Sequence, residues 1–217
     1  TGVNVEASVA LAQEPGLHAL IAERTDIPVP RIYTYDNSRT SIDRDFLRMS
    51  CVPGVALSQA PVSAAQRRQA VAQVGACLGT LHRQCRATKY GYLGEHHCME
   101  PRATWVEAFG DMWTRLIADI VRCGVYTEAD REQALTAFEA CRGAFDRQVP
   151  SCLLHMDIWD QNILVDESGQ LTGIVDWDRA LWGDPEIEFA VLDYCGYNLP
   201  EFWEAYGERV EQDDAWT

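Results

Sequence analysis

Apolar residues recur along this chain at two spacings, and the two spacings predict two kinds of element. From Glu14 to Arg24, Leu17, Leu20 and Ile21 share one helical face, and the prolines of Thr25-Asp26-Ile27-Pro28-Val29-Pro30 end that helix because each disfavours helical backbone before it. Arg31 to Tyr35 and Asp45 to Ser50 read as strands around a polar turn at 36–41. Ser63, three residues before Gln66, has capping-box spacing and opens a long helix to about Cys85. Its Val71, Val74, Leu78 and Leu81 form a narrow apolar seam, and His82 reads as a core histidine with its hydrogen bonds satisfied. Gly75 and Gly79 each weaken that helix by about 1 kcal/mol relative to alanine, so their presence predicts close packing. Residues 88–103 read as a loop. Thr104 with Glu107, and Thr127 with Asp130, open two further helices. The first carries Trp105, Phe109, Met112, Trp113, Leu116, Ile117 and Ile120, and the second Leu135, Phe138 and Phe145, stripes that read as core. Residues 1–13 carry no clear pattern.

The pattern changes beyond Ser151. Leu153-Leu154 and Asn162 to Val165 are short apolar runs, Glu167-Ser168-Gly169-Gln170 is a turn in which Gly169 can take a positive φ, and Leu171 to Val175 is the return strand. Three polar residues stand beside these runs: Asp157, Asn162 and Asp176. Such a hairpin brings Asp157 and Asp176 to neighbouring strand ends facing one cleft. The residue types suit phosphoryl transfer, in which a protein orients a hydroxyl nucleophile and holds magnesium on ATP phosphates. One carboxylate can receive the hydroxyl proton, and an amide oxygen and a second carboxylate are hard ligands for magnesium. The alternative is a surface hairpin whose acids are only solvated.

His155-Met156-Asp157, four residues and Asn162 match the spacing of the kinase loop His-Arg-Asp, four residues, Asn. With Ile174-Val175-Asp176-Trp177 and Gly183-Asp184-Pro185 following, the chain resembles the aminoglycoside phosphotransferase family over about residues 14 to 215, most specifically across 153 to 190. Asp184 suits a helix N-cap and Pro185 the first helical position. Met156 departs from the family's usual glycine, and Trp159-Asp160 from a frequent His-Pro. Trp159 is similar to the fructosamine kinase branch, which Asp176-Trp177 does not fit well. The resemblance implies an α+β, protein-kinase-like two-lobe fold: an incomplete small N-lobe sheet with the hinge over 1–52, and a mostly helical C-lobe with the catalytic hairpin over 53–217. It implies ATP and Mg2+ as cofactors and a small-molecule hydroxyl, of aminoglycoside-like, amine or sugar-alcohol type, as substrate. Asp157 would act on the hydroxyl, Asn162 and Asp176 would hold magnesium, and Ser50, Cys51 and Val52 would seat adenine. Without the resemblance, residues 50–54 are a plain strand end and turn.

The same family uses a strand lysine on the phosphates, paired to a helix glutamate. The one lysine here, Lys89, follows the hinge and cannot be that lysine by order; Glu14 stands where the glutamate would fall, or is a solvated first-turn acid. The expectation is therefore a piece of a longer enzyme lacking the first N-lobe strands and stopping partway through a last helix carrying Phe202, Trp203, Tyr206 and Val210. The alternative is a degenerate, pseudokinase-type binding module. The intact Asp157, Asn162 and Asp176 favour the enzyme, because a scaffold has no chemical need for both metal ligands.

Composition narrows this further. The net charge of −15 over 217 residues, with a pI near 4.6, argues against a nucleic-acid binder, which needs a basic footprint. Asp178, Glu186, Glu188, Asp193, Glu201, Glu204 and Glu208 could face a cationic amine, or be ordinary solvated helix acids. Eight cysteines with no Cys-x-x-Cys spacing read as reduced thiols of a cytoplasmic protein. His96-His97-Cys98 lacks the second pair a zinc site needs. No stretch approaches the ~20 apolar residues of a membrane span.

Overall fold

The computed structural model describes residues 4–92 and 99–208. It opens with helix α1 (Asn4–Arg24), followed by strands β1 (Ile32–Asp36), β2 (Phe46–Met49) and β3 (Val55–Ala56). Helix α2 (Ala64–Gln84), strand β4 (Arg86–Ala87) and helices α3 (Trp105–Arg122) and α4 (Glu128–Phe145) come next. Strands β5 (Ser151–Leu154), β6 (Ile163–Val165), β7 (Leu171–Ile174) and β8 (Leu181–Gly183) precede helices α5 (Pro185–Tyr194) and α6 (Pro200–Tyr206). No helix among the described residues is long and apolar enough to cross a membrane.

The helix starts follow from their caps. Ser63 Oγ accepts the Gln66 N–H while Gln66 Oε1 accepts the Ser63 N–H at 2.8 Å, and Thr127 and Asp130 make the same reciprocal pair. Thr104 accepts the Glu107 N–H at 3.4 Å, and Asp184 accepts the Glu186 N–H at 3.0 Å ahead of Pro185. Helix α1 departs from the expected start at Glu14: it begins at Asn4 and runs through Pro15. The proline removes one intrahelical bond, and Glu14, Leu17, His18 and Ile21, all buried, hold the turns around it.

The three sheets of the described residues are antiparallel. β1 and β2 form a hairpin, β3-β6-β7 a second sheet and β4-β5-β8 a third. The expected loop at 88–103 is partly bridged to neighbouring backbone, Tyr90 to Arg102 and Gly91 to Trp182. The main core gathers on the α2 seam, where Val71, Val74, Leu78 and Leu81 are fully buried; each such side chain contributes about 1.5–3 kcal/mol. Phe202 and Tyr206 of α6 cover the two α2 glycines: a Cβ at Gly75 would stand 2.3 Å from Phe202 O, and one at Gly79 2.4 Å from Tyr206 O. A second cluster joins Trp105 and Ala108 of α3 to Leu154 and Leu181, with Phe109 stacked on Phe145 at 4.3 Å. Both clusters back onto β5, and its exit carries the site.

Candidate active site

β5 ends at Leu154, and the backbone turns sharply at Met156, a non-glycine residue at φ 67. One buried side chain holds that turn. Glu188 Oε1 accepts the N–H groups of His155 at 2.8 Å and Met156 at 2.7 Å. Its other oxygen lies 2.8 Å from His82 Nε2, and His82 Nδ1 lies 2.8 Å from the Tyr206 hydroxyl. Burial alone would raise the Glu188 carboxyl; the His82 hydrogen bond and charge, His155 and the Met156 amide outweigh it and hold the group below its ordinary value. α2, α5 and α6 thus converge on two backbone amides.

His155 joins this loop to the next. Its Nε2–H donates to Val175 O at 3.1 Å, and its Nδ1 accepts the Asp157 N–H at 3.2 Å, an arrangement that needs the neutral imidazole. Burial accordingly lowers its pKa. The ring lies 4.4 Å from that of Trp177, whose Nε1–H donates to Ile174 O at 3.0 Å. Asp176, between Val175 and Trp177, is also left-handed, at φ 69. Positive φ in non-glycine residues costs on the order of 1–3 kcal/mol and clusters at functional sites.

Asp157 and Asn162 lie at the two ends of one turn. The Asn162 N–H donates to Trp159 O at 2.9 Å, and its Nδ2 donates to Asp157 O at 2.9 Å and to Asp157 Oδ2 at 3.1 Å. The amide nitrogen is thereby turned onto Asp157, leaving the amide oxygen for another partner. The Val175 N–H donates to Asn162 O at 3.0 Å, which sets Asp176 beside this turn. Asp176 is pushed up first by partial desolvation of its carboxyl, then by the charge and hydrogen bond of Asp178 and the charge of Asp157. A carboxyl raised by neighbouring acids marks a place that gains from a cation. Among the described residues no three His, Cys, Asp or Glu side chains form a protein-only metal cage. Magnesium requires none, since it takes one or two protein oxygens together with substrate phosphates, and the Asn162 oxygen and Asp176 carboxylate fit that donor set.

The hinge candidates lie apart from this cluster and reach it through β7. Ser50 is tied back to Arg31, its N–H donating to Arg31 O at 2.8 Å and its hydroxyl accepting the Arg31 N–H at 2.9 Å. Cys51 is exposed. Val52 packs on Gly173, where a Cβ would stand 2.6 Å from Val52 Cγ1. The Ile174 N–H donates to Pro28 O at 2.9 Å, so the segment before β1 also touches the strand leading to Asp176.

Glu14 is buried, with His18 Nε2 3.3 Å from its carboxylate, rather than a solvated acid. The neighbouring Gln13 donates to Asp178 O at 2.8 Å, a direct tie from α1 to the Asp176 loop. Of the acids that could have faced a cationic substrate, Glu188 is internal, Asp193 accepts from Asn198 at 2.9 Å and Glu201 pairs with Arg68 at 3.2 Å. His96, His97, Cys98 and Val210 lie outside the described residues. Three site contacts had no sequence signal. Arg179 Nη1 lies 3.2 Å from Asp157 Oδ1, and Asp160 binds Arg67 and Tyr197, residues far away in sequence.

Residues 5–217 match the model of the phosphotransferase enzyme family. No curated protein sequence matches the chain. Among solved structures, a fructosamine-3-kinase candidate from Haemophilus somnus 129PT superposes with a TM-score of 0.68 at 16% identity, covering 92% of this chain and 64% of that one. A thermostable mutant of aminoglycoside phosphotransferase APH(4)-Ia gives 0.64 at 20% identity, covering 91% and 65%. ADP-bound aminoglycoside phosphotransferase APH(2'')-Ib gives 0.61 at 14% identity, covering 92% and 67%. The chain thus spans somewhat under two thirds of the length of the first two.

Proposed function

Because the chain belongs to the phosphotransferase enzyme family and has a protein-kinase-like fold, we propose that it transfers the terminal phosphoryl group of ATP to a hydroxyl of a small molecule. The observation that carries this reading is the paired use of Asn162: its amide nitrogen fixes Asp157 Oδ2 at 3.1 Å, while its oxygen is left for a metal beside Asp176. Asp157 orients the acceptor hydroxyl and takes its proton. Asn162 and Asp176 would hold magnesium, which when bound would offset the negative charge that develops on transfer. Ser50, Cys51 and Val52 seat the adenine at a hinge between residues 1–52 and 53–217. Complexes of related structures with ADP or AMP-PNP and hygromycin B support a nucleotide and a small-molecule acceptor.

Calorimetry of Mg·ATP binding, together with phosphoryl transfer to a panel of hydroxyl compounds, tests the assignment. Asp157→Asn should retain Mg·ATP binding and lose about 10²–10⁴-fold in turnover, whereas Asp176→Ala should lose metal-dependent binding. Wild-type turnover in Asp157→Asn would remove Asp157 from its role. A second reading, a nucleotide- or protein-binding module without catalysis, is favoured by Arg179 on Asp157 and by the exposed Lys89, which stands on the far side of α2 in sequence. Product formation by the wild-type protein would eliminate it.

A further inference from the structure

Asp160 lies at the crown of the turn whose ends are Asp157 and Asn162. Both of its carboxylate oxygens are engaged: Oδ2 by Arg67 Nη1 at 2.6 Å, and Oδ1 by Arg67 Nη2 at 2.8 Å and the Tyr197 hydroxyl at 2.9 Å. Its backbone oxygen accepts the Ser58 N–H at 3.2 Å. Arg67 comes from the first turn of α2, Ser58 from just beyond β3, and Tyr197, fully buried, from the turn after α5. Three separate segments therefore grip one residue of the loop.

We infer that Asp160, Arg67 and Tyr197 form a positioning clasp that sets the Asn162 oxygen for the metal, an inference that rests on the phosphotransferase reading. The side chains of Arg67 and Asp160 are 40% and 25% exposed, and ion pairs so open to water contribute little to global stability. The turn they grip carries both Asp157 and Asn162, where a misplacement of about 1 Å can cost about a hundredfold in rate. The bidentate fork and the buried phenol fix direction as well as distance. The clasp thus acts on the site geometry far more than on the fold.

The test compares wild type with Asp160→Asn, Arg67→Lys and Tyr197→Phe, with Arg131→Ala on the exposed face of α4 as a control. Three readouts are needed: the Mg2+ concentration for half-maximal ATP binding by calorimetry, amide hydrogen exchange across residues 157–163, and melting temperature. Asp160→Asn should raise the half-saturating Mg2+ about tenfold or more and speed exchange at the Asn162 amide, with a melting shift of roughly a few degrees. Arg67→Lys should give a smaller change in the same direction. Asp160→Asn combined with Arg67→Lys should change Mg2+ dependence by less than the sum of the single effects. Wild-type Mg2+ dependence in Asp160→Asn, or a loss confined to melting temperature, would overturn the clasp while leaving the phosphotransferase reading standing. Failure of the wild-type protein itself to bind Mg·ATP would overturn both, and is recognised by its appearing before any substitution is made.

Discussion

His155 is a buried histidine whose two ring nitrogens are committed to opposite roles, one donating to Val175 O and one accepting from the Asp157 amide. A proton added at Nδ1 would destroy the second bond. Burial lowers its pKa from 6.5, so below that value the unfolded chain takes up a proton that the folded protein refuses. Stability therefore falls as pH drops from about 6.5. Glu188, lowered in its turn, adds its own loss once the pH falls below its ordinary carboxyl range. Chemical denaturation from about pH 3 to pH 7.5 should show this slope, and His155→Gln should flatten its upper part while leaving the carboxylate part below about pH 4.5. An unchanged slope in His155→Gln would show that other groups control this pH range.

At the scale of elements, the α2–α6 contact is governed by its glycines. Gly75→Ala gains about 1 kcal/mol of helix propensity, yet its methyl meets the Phe202 carbonyl oxygen, which is backbone and cannot rotate aside. Overpacking costs about 1–3 kcal/mol, so a net loss of up to about 2 kcal/mol is expected. Gly143→Ala on α4 meets nothing within 4 Å and should gain up to about 1 kcal/mol. Melting curves of the two variants should move in opposite directions. Much of this level was legible in the sequence. The Ser63 and Thr127 capping boxes, the α2 seam and the β6–β7 turn at Gly169 all rest on local spacing, and all stand in the structure. β3 and β8, of two and three residues, are too short to show alternation, and their partners lie far away in sequence. Arg179 and the Arg67–Asp160–Tyr197 contacts were illegible for the same reason: nothing in the spacing says which distant arginine or tyrosine will reach a given carboxylate. Met156 was visible as a departure from glycine, but its left-handed backbone was not.

For the whole molecule, the charge of −15 makes the folded state repel itself, and Asp157, Asp176 and Asp178 concentrate that repulsion in one place. Added NaCl should raise the melting temperature as the Debye length shrinks to about 10 Å near 0.1 M. MgCl2 at equal ionic strength should raise it further, because an ion that binds only the folded state adds its binding free energy. Asp176→Asn should abolish that excess while leaving the response to NaCl. Equal responses to the two salts in the wild type would argue against a magnesium site in the nucleotide-free protein.

The partnership of α2 with α6 also orders events in time. The surface around Gly75, Gly79 and His82 is covered by Phe202 and Tyr206, which are among the last described residues to be synthesised. At about 5–20 residues per second, translation from Cys85 to Tyr206 occupies on the order of ten seconds. Throughout that interval α2 has been made without its cover, and His82 has yet to receive Tyr206. The nascent chain therefore carries this face uncovered through that interval, and synthesis that ends before Pro200 leaves the face bare.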